Sequence, residues 1–322
     1  MSVLISVLTP VWNRSDMLPK VFESLQNQTY QNFEWLVGND GSTDGFQPTF
    51  DRCVESSVFP IILVDASIRV GKAKIDNCLI KESSGELILW CDSDDILVPT
   101  ALQEIADSWA SIPEINLCEF IGLTAICSVN KAPLILKNIP ENSFYPSWND
   151  LSGKYQNKHD MVFVTKASVL KDSPFPEVDY VIPEGVVWTK IGTEKTIFIN
   201  KVLKEVEYGN PNAISFSGKI QFCRGYAYAL AVCYRNLKKY QYSFFYKLTS
   251  TTNFLRYCMH GDISLLHSLR LWKDNTPLSF LFLMIPGAMA LVLKDRLLGK
   301  VVKTHIDFDK NIQNSKIHIY KY

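Results

Sequence analysis

The 322-residue sequence predicts an α/β fold, a mostly parallel sheet flanked by helices, with a C-terminal helical extension. Three observations lead there. Short apolar, β-rich runs alternate with helix-period stretches through residues 1–210, the pattern of βαβ units. Each run closes on polar or glycine-containing residues, so one rim of the sheet collects the chemistry. After about Asn210 the runs give way to long helical stretches rich in tyrosine and phenylalanine.

Leu4-Ile5-Ser6-Val7-Leu8 reads as the first strand, ending at Thr9-Pro10. Met17, Leu18, Val21, Phe22 and Leu25 recur at helical spacing and predict a helix over 15–26. Phe33-Glu34-Trp35-Leu36-Val37 is the second strand, closing in Gly38-Asn39-Asp40-Gly41-Ser42-Thr43-Asp44, and 59–64 is the third. A helix over 72–83 leads through Gly85 into Leu87-Ile88-Leu89-Trp90-Cys91-Asp92-Ser93-Asp94-Asp95-Ile96. Four apolar residues there run straight into three carboxylates. Acids packed so closely repel one another unless a cation neutralises them. Hard oxygen ligands suit Mg²⁺ or Mn²⁺, ions that usually bridge a protein carboxylate to substrate phosphates. The competing reading is a solvated acidic turn before a helix that begins near Pro99-Thr100.

Farther along, 117–126 suggests a central strand, and 142–150 reads as a loop over the site or an ordinary surface excursion. Residues 161–164 read as a strand, 166–170 as a short helix and 197–200 as the last strand of this part. Residues 222–245 are helical, with tyrosines interleaved with Arg224, Arg235, Lys238 and Lys239. Docking on the preceding domain explains that mixture better than single-stranded nucleic acid, because Lys plus Arg and Asp plus Glu balance at 33 each. His260 and His267 have no partner at ligand spacing and read as structural.

Pro277 to Leu293 carries no charge, is interrupted by Pro286-Gly287, and is followed by Lys294, Arg296, Lys300 and Lys303. A bilayer takes about 20 apolar residues to span. Interfacial attachment is the preferred reading, ahead of a buried helix pair and a true span. Eight cysteines are scattered singly, without the close spacing of a zinc or redox motif. They predict reduced thiols in a cytoplasmic protein, and the first apolar run reads as a strand, not as a secretory signal.

Leu4-Ile5-Ser6-Val7-Leu8-Thr9-Pro10-Val11-Trp12-Asn13-Arg14, Asn39-Asp40-Gly41-Ser42-Thr43-Asp44 and Asp92-Ser93-Asp94-Asp95, in that order and spacing, resemble the family 2 glycosyltransferases of the GT-A fold. The resemblance covers roughly residues 2–105. It implies a GT-A-like nucleotide-sugar-binding domain over 1–210 and a membrane-facing extension over 211–322. It also implies that Thr9, with Pro10, and Asp40 line the nucleotide base, Asn39 standing where the family usually has an acid. Asp92 and Asp94, with Ser93 between them, match the stretch that binds ribose, diphosphate and metal, and Asp95 is a further possible ligand. Gly71-Lys72-Ala73-Lys74-Ile75-Asp76-Asn77 is similar to a segment of a bacterial subgroup that builds surface polysaccharides. That similarity places Lys72 and Asn77 at the nucleotide, although Asp76 departs from the common version, and a merely solvated Lys72 is the alternative. Val181-Ile182-Pro183-Glu184-Gly185-Val186-Val187-Trp188 resembles a later part of the same subgroup, with Glu184 at the position of the general base. A carboxylate after Pro183 also suits a helix start, so both roles stand for Glu184. Glu177 and Asp179 are the nearest upstream alternatives.

The implied function is inverting transfer of a sugar from a UDP-linked donor to a glycan or lipid-linked hydroxyl. Mn²⁺ or Mg²⁺ would be the cofactor, and the inner face of the plasma membrane the location. Two rivals remain: a non-catalytic nucleotide-sugar binding module, and a metal-dependent nucleotidyltransferase. The second lacks a Gly-rich phosphate loop here. A dinucleotide-binding dehydrogenase is disfavoured by the glycine-free turn Thr9-Pro10-Val11-Trp12-Asn13-Arg14.

Overall fold

The computed structural model describes residues 2–129, 132–133, 145–153, 161–206, 219–238, 243–300, 302 and 304–322. Within them the chain forms two compact units, one of residues 1–174, 191–210 and 315–322, the other of 175–190 and 211–314. A single cut after residue 210 does not describe this division. Residues 175–190 cluster with the C-terminal helices, and the last eight return to the sheet.

The first unit opens with four strands, β1 (Ile5–Val11), β2 (Phe33–Asn39), β3 (Ile61–Ala66) and β4 (Leu87–Trp90). They lie side by side in the order β3-β2-β1-β4, all parallel. Their connections hold α1 (Leu18–Gln26), α2 (Phe46–Ser56) and α3 (Lys72–Glu82). Central parallel strands are covered on both faces, so they need unbroken apolar runs. Ile5, Val7, Leu8, Leu87, Ile88 and Leu89 meet that need and are fully buried. Helix α1 starts three residues later than the 15–26 periodicity predicts, because a turn from Arg14 to Met17 precedes it and Pro19 sits in its first turn. Helix α2 has no counterpart in the sequence expectations, although Phe46, Phe50 and Cys53 put one face in the core.

The run 87–96 is two strands instead of one. Asp95 N–H donates to the Asp92 carbonyl at 2.9 Å, and the chain turns into β5 (Asp95–Leu97). Next come α4 (Ala101–Ala110), β6 (Phe120–Val129), β7 (Ala132–Pro133), α5 (Trp148–Gly153), β8 (Met161–Lys166), α6 (Ala167–Lys171), α7 (Gly185–Ile191) and β9 (Lys195–Val206). Strand β10 spans Ile317–Lys321. The whole sheet runs β10-β3-β2-β1-β4-β8-β6-β9-β5, with β7 on β6. Strands β3, β2, β1 and β4 are parallel, β10 is antiparallel to β3, and β8 is antiparallel to both β4 and β6 while β6 and β9 are parallel. Of the 142–150 loop expected from sequence, 142–144 lie outside the described residues, and Trp148 begins α5.

The second unit is helical: α8 (Cys223–Asn236), α9 (Phe244–His260), α10 (Leu265–Trp272), α11 (Leu278–Leu283), α12 (Ile285–Leu297) and α13 (Thr304–Asn314). The single helix expected over 222–245 is α8 plus the start of α9, with 239–242 outside the described residues. Ala227, Ala231, Phe254, Cys258, Trp272 and Ala288 form its core. None of the eight cysteines is in a disulfide, and five of them are buried.

Candidate active site

Parallel β1 to β4 deliver four loops to one rim, and short polar side chains lace those loops together. Asn13, at φ 50°, accepts the Thr43 N–H at 2.8 Å, and its own N–H donates to Ser42 Oγ at 3.0 Å. Ser15 N–H donates to Asp44 Oδ2 at 2.8 Å. Gly41 has φ +64°, and a Cβ there would lie 2.4 Å from the Arg69 backbone nitrogen. Only glycine allows that approach. Asn39 explains its own departure from the usual acid. Its amide donates to Asp65 Oδ1 at 2.8 Å while its oxygen accepts Ser42 N–H at 3.0 Å. A carboxylate could not donate.

Each of the three acids after β4 meets a side-chain cation. Arg14 Nη1 donates to Asp94 Oδ2 at 2.5 Å. Lys72, the first residue of α3, lies 3.6 Å from Asp92 Oδ1 and donates to Asp76 Oδ2 at 3.0 Å. Asp76 is buried and also accepts the Trp90 indole N–H at 3.3 Å, so the residue that departs from the subgroup pattern positions Lys72. Lys204, on β9, donates to Asp95 Oδ2 at 2.5 Å, and the same oxygen accepts Asp92 N–H at 3.1 Å. Asp95, which the resemblance gives as a further possible metal ligand, is here a buried counter-ion of Lys204.

Protonation follows from those neighbours. Burial pushes the Asp92 carboxyl up, but Lys72 and Lys204 outweigh it and hold the group below its usual range. Asp95 goes the other way, to about 6, because burial and the charge on Asp92 prevail over Lys204. Burial works against the charge on Lys204, yet Asp95 in contact with it lifts the ammonium above its ordinary range.

Asp40 is buried and pushed up to about 6 by burial, against the backbone N–H groups of Val70 and Gly71 that its Oδ1 accepts at 2.6 and 2.9 Å. It thereby fixes the turn, with Gly71 at φ 94°, that opens α3 and aims Lys72. Arg69, 3.8 Å from Asp40, lays its guanidinium 3.4 Å over the Trp12 ring. The sequence motif contains Trp12 but gives no sign of this platform. Thr9 is fully buried, and its hydroxyl is used within the sheet, donating to the Cys91 carbonyl at 2.7 Å and accepting the Trp35 indole at 2.9 Å. Its side chain ties strands together, with the half-buried Pro10 beside it near the strand end. Ser93 is buried, and Asn77 is half-buried on α3.

Glu184 belongs to the second unit, half-buried at the start of α7, where its carbonyl accepts the N–H groups of Val187 and Trp188 at 2.9 and 3.1 Å. The backbone makes the helix-start contacts, and its charge raises the pKa of Tyr226 after burial does. Asp179 is buried and accepts the N–H groups of Tyr180 and Gly225, tying 175–190 to α8. Glu177 lines an open cavity of 490 Å³ with Arg224, His267 and Asp309.

Asp92 Oδ1 is a buried oxygen without a hydrogen-bond donor. Among the described residues, no three His, Cys, Asp or Glu side chains converge as a metal site. Mg²⁺-type ions usually take one or two carboxylates and draw their remaining ligands from substrate phosphate and water. Asp92 Oδ1, with the Lys72 ammonium 3.6 Å away and no hydrogen-bond donor on it, and the neighbouring Asp94 fit a cation that arrives with a diphosphate.

Residues 6–173 match the family described as Glycosyl transferase family 2. The chain is 24% identical over 212 residues to the GalNAc(5)-diNAcBac-PP-undecaprenol beta-1,3-glucosyltransferase of Campylobacter jejuni, covering 62% of this chain and 63% of that protein. It is 31% identical over 99 residues to the UDP-Glc:alpha-D-GlcNAc-diphosphoundecaprenol beta-1,3-glucosyltransferase WfaP of Escherichia coli, covering 31% of this chain and 38% of that one. The chain thus spans less than two thirds of the length of these curated relatives. Staphylococcus aureus TarS 1-349 in complex with UDP-GlcNAc superposes with a TM-score of 0.56 at 15% identity, over 96% of this chain and 89% of that one.

Proposed function

The chain belongs to glycosyl transferase family 2 and has the GT-A fold, and from this premise we propose that it transfers a sugar from a UDP-linked donor to a hydroxyl of a glycan or lipid-linked acceptor, with inversion at the anomeric carbon. One observation carries the reading. Asp92 and Asp94 stand with Lys72 and Arg14 on the C-terminal rim of four parallel strands, where open α/β sheets bind their ligands. Two carboxylates balanced by two cations can exchange partners with a diphosphate and a divalent cation at little net electrostatic cost. The names of the relatives, with UDP-Glc and diphosphoundecaprenol in them, support uridine and a lipid-linked acceptor.

Asp92 and Asp94 would hold Mn²⁺ or Mg²⁺, which when bound offsets the charge developing on the leaving diphosphate. Lys72 adds a second cation at the N-terminus of α3, where backbone N–H groups also favour anions. The Trp12 ring, with Arg69 on it, offers a stacking surface for the base, and Asp40 fixes the adjoining backbone. Glu184 takes the acceptor proton as the hydroxyl attacks the anomeric carbon and the bond to the diphosphate breaks. With a lipid-linked acceptor the reaction runs at the cytoplasmic membrane surface, and residues 277–303 supply the attachment.

Calorimetric titration of a UDP-sugar panel, with and without Mn²⁺, tests the donor site. Wild type should bind at least one donor more tightly with Mn²⁺, and Asp94→Asn should lose that increment at an unchanged melting temperature. An undiminished metal effect in the variant would remove Asp94 from the site.

A further inference from the structure

We propose that α11 and α12 lie flat in the interface of an anionic membrane, inserting their solvent face without crossing the bilayer. The inference deepens, and rests on, the proposed use of a lipid-linked acceptor. Leu278–Leu297 forms a helical stretch of 20 residues in which Leu281, Ala288, Val292 and Asp295 are the buried ones. Ala288, Val292 and Asp295, at helical spacing, form the inward stripe of α12. The opposite stripe is also apolar. Leu283 is 69% exposed, Leu293 59% and Leu297 79%, and Met289 lies between them. Phe244, 70% exposed at the start of α9, adjoins this surface through Phe280 at 6.3 Å between ring centroids. A helix that is apolar all round is normally enclosed, and an exposed patch of this kind marks an interaction surface.

Charge identifies the partner. The only acid in the stretch, Asp295, is the charge turned inward, 3% exposed. Arg256 on α9 donates to both of its oxygens at 2.6 Å, and His260 lies 3.1 Å away. Arg256 and His260 hold Asp295 below its usual pKa although burial opposes them. Lys294, Arg296 and Lys300 remain exposed, although the Lys300 ammonium also lies 3.7 Å from Asp295 Oδ1. With its acid withdrawn, the outer surface presents apolar side chains and positive charge, which suits an anionic lipid headgroup layer over acyl chains.

The same cluster argues against a span. The helical path changes at Met284, between α11 and α12, with Pro286 in the first turn of α12. Asp295 ties α12 to charged Arg256 on a neighbouring helix, so a crossing would carry that ion pair into hydrocarbon.

Flotation of the full-length chain with vesicles decides the matter. Wild type should float with vesicles containing phosphatidylglycerol and far less with pure phosphatidylcholine. Replacing Lys294, Arg296 and Lys300 together by Ala should weaken binding by about a hundredfold, at roughly fivefold per basic residue. Met289→Asp with Leu293→Asp should abolish flotation at an unchanged melting temperature, and alkaline carbonate should release bound wild type. Failure of wild type to float on anionic vesicles, or flotation of the double variant, overturns the proposal. So does carbonate resistance, which means a span, or a dimer dissolved by the double variant in a protein that ignores vesicles. Donor titration on the same preparations separates the two claims. Lost flotation with donor binding intact defeats the membrane face alone, whereas lost donor binding with flotation intact defeats the catalytic reading.

Discussion

Three carboxylates in four positions look insupportable without a metal, yet the protein supplies a cation for each. Arg14 and Lys204 come from 80 and 109 residues away, so no local reading could pair them. Lys72 was visible because it opens a helix; Asp76, which aims it, looked only like a departure from pattern. The acids themselves were legible because an apolar run into charge has few other uses. The Trp35 and Cys91 partners of Thr9 were illegible, because a threonine that ties strands together and one that lines a ligand look alike in sequence. Glu184 is the residue whose role has the sharpest test. Glu184→Gln keeps the shape and the α7 backbone contacts but cannot accept a proton. Transfer should fall by about 10²- to 10⁴-fold while donor affinity and melting temperature hold. Near-normal turnover per folded molecule would leave it a helix-start residue.

At the scale of elements, the Asp95–Lys204 pair joins the ends of β5 and β9, which are antiparallel partners. Lys204→Met strands a buried carboxylate and should cost about 3–5 kcal/mol near neutral pH. Asp95 titrates at about 6 in the folded chain against 3.8 for an ordinary aspartate. The folded state therefore holds the extra proton between those values, and the Asp95 contribution to stability declines as pH rises through 6. Without Lys204 the folded value moves higher still. The deficit in urea denaturation should consequently shrink from pH 8 toward pH 5, and a deficit independent of pH would assign the loss to packing. Strands β1, β2 and β4 were legible as apolar runs because both of their faces are covered. Helix α2 was not, since its apolar spacing is interrupted by Pro48 and polar neighbours. Strand β10 was missed because five residues at the chain end gain strand character only by pairing with β3, with Ile319 opposite Val64.

For the whole molecule, the motifs that disclosed the fold all lie in the sheet-bearing unit. The proposed base and the membrane face lie in the helical one. The membership of 175–190 in that helical unit was illegible because Asp179 and Tyr180 find their partners on α8 and α13, through Gly225 and Asn311. The central claim is metal-dependent transfer of a sugar from a UDP-linked donor. Its most direct test incubates the full chain with Mn²⁺, a UDP-sugar panel and a polyprenyl-diphosphate-linked sugar, measuring UDP release and glycolipid product together. The expected result is acceptor-dependent UDP release matched by extended glycolipid from one donor, abolished by chelation and in Asp94→Asn. Donor binding without release or product from any donor, with the metal and acceptor present, would contradict it and leave a nucleotide-sugar binding module.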